Sequence, residues 1–97
     1  MVNNKKDIDE FLEIYAIKNY NIDLLTYENS KHLAELCKSL GIGILGVDTF
    51  ELINGKTIPL SQYSIDTSND KFNYARIIDF LSPFCNKDYL FEIVIDI

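Results

Sequence analysis

Four carboxylates and one tyrosine carry most of the chemistry this sequence offers. Asp48 stands inside the apolar run Leu40-Gly41-Ile42-Gly43-Ile44-Leu45-Gly46-Val47-Asp48-Thr49-Phe50, with Glu51 directly after it. Asp66 opens the polar cluster Asp66-Thr67-Ser68-Asn69-Asp70, Glu92 interrupts an apolar segment, and Tyr63 sits in Ser61-Gln62-Tyr63-Ser64. A carboxylate among apolar neighbours is costly unless it is paired or lies at a margin. Asp48 therefore either bonds main-chain or tyrosine groups, or points at a partner. Two carboxylates can share acid–base work only when an apolar pocket raises the pKa of one of them. Nothing in the sequence supplies that pocket.

Other reactive patterns are missing. His32 is the only histidine, and Cys37 lies five residues beyond it, a spacing that points elsewhere around a helix. A zinc site requires several converging ligands, so no metal and no cofactor are expected. Gly41, Gly43 and Gly46 suggest a phosphate loop only superficially, because a dinucleotide fingerprint runs strand, glycine loop, helix, and here a helix comes first. No nucleophile–base signature appears. The chain reads as a binding protein rather than an enzyme.

The elements that must position these residues follow from periodicity. Ile8, Phe11, Leu12 and Tyr15 fall at i, i+3, i+4, i+7 and predict a helix over residues 7–18, capped by Asn4 or Asp7. A loop over residues 19–23 follows. Thr26 caps a second helix over 27–40, whose stripe is Leu33, Leu36, Cys37 and Leu40 and whose C′ residue is Gly41. Residues 42–53 and 56–65 read as strands joined by the hairpin turn Asn54-Gly55, with Pro59 indicating an edge or a bulge. Tyr74, Ile77, Ile78 and Leu81 predict a third helix over 70–81, stopped by Ser82-Pro83. A last strand spans 89–97, with Glu92 and Asp96 on its less apolar face. The order ααββαβ predicts an α+β two-layer sandwich: an antiparallel sheet of the hairpin plus the final strand, with helices on one face. Glu51, Glu92 and Asp96 either form an acidic stripe across the other face or are ordinary solvated strand positions.

Ninety-seven residues, 47% hydrophobic and 25% charged, make one domain, residues 1–97. The net charge of −6, with nine scattered basic residues, excludes binding nucleic acid by phosphate neutralisation. It suits a basic protein partner or simple solubility. Cys37 and Cys85 are too few for a disulfide framework and are expected to be buried and reduced. The opening Met1-Val2-Asn3-Asn4-Lys5-Lys6 precedes a mixed charged segment, and no window has transmembrane length. A cytoplasmic location without membrane contact is expected.

From Asp23 onward, over about three quarters of the chain, the sequence resembles the immunity protein 40 family of bacterial polymorphic toxin systems. The matching elements are Leu25-Thr26, Leu36-Cys37-Lys38-Ser39-Leu40-Gly41-Ile42, Ile44-Leu45-Gly46-Val47-Asp48-Thr49-Phe50, Asn54-Gly55 and Ser61-Gln62-Tyr63. Val47 stands where the family has a second glycine, Phe50 where it has Tyr, and Tyr63 where it has Trp. The resemblance implies a small protein that binds and neutralises a cognate toxin domain, without naming the toxin's reaction. Asp48, Glu51, Tyr63, Asp66 and Glu92 are the expected partner-binding residues. The competing expectation is an adaptor that self-associates as a homodimer through a sheet edge.

Overall fold

The second helix forms where its caps place it. In the computed structural model, which describes residues 4–97, Thr26 Oγ1 accepts the Asn29 N–H at 3.3 Å, and α2 (Tyr27–Leu40) ends at Gly41 with φ 70°. That left-handed glycine lets the Ile42 N–H reach back to the Cys37 carbonyl at 2.9 Å. Residues 1–3, part of the segment read for a leader, lie outside the described residues. Strands β3 (Ile44–Ile53) and β4 (Lys56–Asp66) are joined by Asn54 and Gly55, both at positive φ as a two-residue hairpin turn requires. With β5 (Tyr89–Ile95) they make an antiparallel sheet in the order β4-β3-β5.

The first helix is shorter than its pattern suggests. Helix α1 (Asn4–Tyr15) already includes Asn4 and Asp7, and stops three residues early. Residues read as helix end and loop fold instead as a small hairpin, β1 (Ile17–Asn19) and β2 (Ile22–Leu24). Two interactions account for it: Lys18 pairs with Asp23 across the strands, and Ile22 and Leu24 pack on Phe50 and Leu90. The order is therefore αββαββαβ within the expected α+β class. Helix α3 (Tyr74–Leu81) also begins late, because Asn73 rather than Asp70 caps it by accepting the Arg76 N–H at 3.2 Å. Asp70 is held in the preceding turn, where its carboxylate accepts the Asn73 side-chain amide at 2.9 Å.

The sheet has two differently used faces. Val47, Phe91 and Ile93 join Ile8, Leu33, Cys37, Ile77 and Leu81 in the main core under the three helices. On the opposite face, Phe50 and Leu90 are covered by the β1–β2 hairpin, while the stretch beyond them is open. The chain changes faces at Leu24 and Leu25. Leu24 belongs to the small cluster and Leu25 to the main core. Between them the main chain crosses the outer edge of β5, where Leu25 and Phe91 exchange two N–H···O bonds of 2.8 Å.

Strand β4 departs from a regular ladder as Pro59 suggested. Its pairing with β3 jumps from Asp48–Ser64 to Phe50–Pro59, so Thr49 alone faces residues 60–63. Counting from the turn, the alternation of bonded pairs puts the nitrogen of Pro59 on the open edge, where no N–H is needed. Gly46 allows close approach of the same strand: a Cβ there would stand 2.6 Å from the Ile65 carbonyl oxygen. Gly46→Ala should therefore destabilise the chain by about 1–3 kcal/mol, read as a lower denaturant midpoint at unchanged slope. A wild-type midpoint would mean that β4 shifts freely at Ile65.

Candidate functional site

Strands β3 and β5 set Asp48 directly opposite Glu92, on the sheet face away from the helices. Ser64 flanks Asp48 on the β4 side. One pair further along, Gly46 lies between Asp66 and Val94. A depression of about 280 Å³ opens there, lined by Gly46, Asp48, Asp66, Ser68 and Val94 among others. Asp48 is exposed and Glu92 half-buried, its rim shared with Asp23 on β2.

The electrostatics of this row are unfavourable in the free chain. Like charges placed directly opposite across strands repel. Burial first, then Asp48, then Asp23, push the Glu92 carboxyl above its ordinary value. The ion pairs among the described residues lie elsewhere: Lys18 with Asp23, Lys71 with Asp96 at 2.6 Å, and Lys6 with Glu10 at 4.0 Å. None joins a cation to Asp48 or Glu92. Asp66 differs. Its carboxylate accepts the Ser68 hydroxyl at 2.7 Å and the Ser68 N–H at 2.9 Å, and these two bonds hold its pKa below the usual range. It is a turn residue that also presents charge to the depression.

The five expected residues do not form one surface. Asp48, Asp66 and Glu92 share the open face. Glu51 pairs with Ile58 and Tyr89 on the helix side of the sheet, because residues 48 and 51 differ in parity along a strand with no irregularity between them on its β5 side. This corrects the acidic-stripe reading, and Asp96 leaves the stripe too, tied to Lys71 just past β5. Tyr63 also lies on the helix side, 5.2 Å from the Phe84 ring centroid and 6.1 Å from that of Tyr89. Sequence reasoning missed Asp23. Its signal would have been Lys18 placed to pair with it across a tight hairpin.

The remaining candidates resolve simply. His32 is exposed, and among the described residues no group of His, Cys, Asp or Glu is placed to hold a metal ion. Burial pushes the Cys37 thiol up to about 12, so it behaves as an apolar side chain. Cys85 is exposed and free, which corrects the expectation that both thiols are buried. No helix of the described residues is long and apolar enough to cross a membrane. Chemically, the open face is a row of carboxylates in which neither Asp48 nor Glu92 is in an ion pair among the described residues. No protein-family model matches the chain, and no curated protein matches it.

Glu92 makes the charge conflict measurable. Its pKa is higher folded than unfolded, so the stability it contributes is present at low pH and disappears as pH rises through the folded value. Asp66 works in the opposite sense, stabilising above the unfolded carboxylate range and losing that effect on acidification. Glu92→Gln should raise the thermal midpoint at neutral pH, with the gain shrinking as pH falls through the raised titration range of the folded Glu92 carboxyl. Thermal unfolding across that range checks it, and a variant less stable than wild type at neutral pH would refute the conflict.

Proposed function

We propose that this chain is a toxin-neutralising immunity protein, acting in the cytoplasm by stoichiometric binding rather than turnover. Its open sheet face would occlude a cognate toxin domain. The observation that carries this reading is the direct opposition of Asp48 and Glu92, neither of which is in an ion pair among the described residues. A fold that retains a repulsive pair on an accessible surface gives up stability that a neutral side chain would restore. A partner's Arg or Lys placed between the two carboxylates turns that repulsion into attraction. The resemblance of the Gly41–Phe50 region and the Asn54-Gly55 turn to immunity proteins supports the same class.

The mechanism follows from charge and shape. With a net charge of −6, the chain attracts basic surfaces before contact and raises the rate of encounter. A cleft that binds phosphates presents the arrangement of cations this face complements, which makes a nuclease domain the target class of choice. Val94, 38% exposed beside the acids, offers an apolar contact at the centre. The competing idea of edge-strand self-association meets obstacles on both edges. Leu25 occupies part of the β5 edge, and Pro59 and the ladder break interrupt that of β4.

The test is co-expression with the C-terminal domain of the protein encoded by the neighbouring gene, in a sensitive host, together with a pull-down. Wild type should restore growth and form a complex whose affinity falls with salt. Asp48→Ala should cost about 2 kcal/mol or more of binding while leaving the thermal midpoint at or above that of wild type. Unchanged toxicity with no complex would remove the reading. Rescue with undiminished binding by the Asp48→Ala/Glu92→Ala double variant would keep the function and overturn the site.

A further inference from the structure

The far end of the β3–β4 hairpin carries a second surface, on the face opposite the acidic row. Ile53 and Ile58 are 42% and 41% exposed there, in a molecule 44 Å long and 25 × 20 Å across. Glu51 and Lys56 share that face, because Glu51 is paired with Ile58 and Ile53 with Lys56. Tyr63 and Tyr89 stand beside them, stacked 6.1 Å apart. Large apolar side chains scattered singly need no explanation, but these lie together on one sheet face and stay exposed among the described residues.

We infer that this face is a docking surface for a second copy of the same chain. The charges say which occupant fits. Glu51 and Lys56 occupy one diagonal of a four-residue block, and Ile53 and Ile58 occupy the other. A two-fold axis along the isoleucine diagonal lays each isoleucine on its own counterpart and brings each Glu51 against Lys56 of the second copy. The strands of the two hairpins then cross steeply, as in orthogonal sheet packing. Neither Glu51 nor Lys56 is in an ion pair within the chain among the described residues.

Location favours the same occupant. Two chains that each carry −6 repel over most of their surface. Here one acid and one base balance, while Asp23, Asp48, Asp66 and Glu92 lie on or beside the other face. Pairing through this end leaves both acidic faces outward and is independent of what they bind. A patch this small falls short of the ~800 Å² per partner of a standard interface, so the dimer forms with concentration rather than being obligate.

Sedimentation velocity of the full chain at physiological salt tests this, from roughly 5 to 500 µM, the range in which a weak, concentration-dependent dimer shows itself. Wild type should move from monomer toward dimer across that range. Ile58→Lys and, separately, Ile53→Lys should remain monomeric with an unchanged thermal midpoint. Glu51→Lys should weaken association about tenfold, and the swap Glu51→Lys/Lys56→Glu should restore it. A wild type that is monomeric throughout overturns the inference. So does a dimer that survives both lysine variants, or folded swap variants that fail to restore it.

Discussion

Two main-chain hydrogen bonds between Leu25 and Phe91 hold the architecture in its observed arrangement. They occupy the outer edge of β5 at the point where the chain passes from one sheet face to the other. Leu25 is thereby committed to the core under the helices, Leu24 to the small cluster on the far side, and α2 to a start two residues later. Without this crossing, Phe50 and Leu90 would be exposed on a face that also bears the acidic row. The crossing divides that face into a covered apolar part and an open charged part.

The open part is where stability and the proposed recognition pull apart. Three other carboxylates are satisfied locally: Asp96 by Lys71, Asp23 by Lys18 and Asp66 by Ser68. Asp48 and Glu92 receive no such neighbour, although β4 and β5 both pass alongside. Removing both carboxylates would relieve the repulsion at no cost to the core, since Asp48 is exposed and its neighbours on β3 pack without it. On the proposed reading, a basic partner would satisfy a surface that is electrostatically unsatisfied alone, which gives such a pair a reason to persist.

Elements specified by their own residues were legible in the sequence. Thr26 and Gly41 bracket α2, and Asn54-Gly55 marks the hairpin, because caps and tight turns depend on local side-chain and φ requirements. Pro59 correctly announced an irregular edge strand. The β1–β2 hairpin was not legible: strands of three residues are too short for alternation to register, and Tyr20 takes a positive φ of 55° where Gly or Asn would have signalled a turn. The start of α3 depended on which of two capping residues, Asp70 or Asn73, won the competition. At the site, Asp48 and Glu92 were legible as carboxylates in apolar strands, but their opposition depends on register. Glu51 was misplaced although parity along β3 alone separates it from Asp48. Asp66 joins the open face only through its pairing with Gly46.

The strand order has a consequence in time. The β3–β4 hairpin closes over two turn residues, whereas β3 meets β5 only after a loop of several tens of residues is brought together, at a larger entropy cost. Local closure precedes distant closure. Asp48 therefore spends the early part of folding beside Ser64 alone and meets Glu92 when β5 docks. The charge conflict therefore arises only after the hairpin has closed, when β5 joins it. It acts mainly on how long a folded molecule lasts before β5 lifts away, and little on how fast the hairpin first forms.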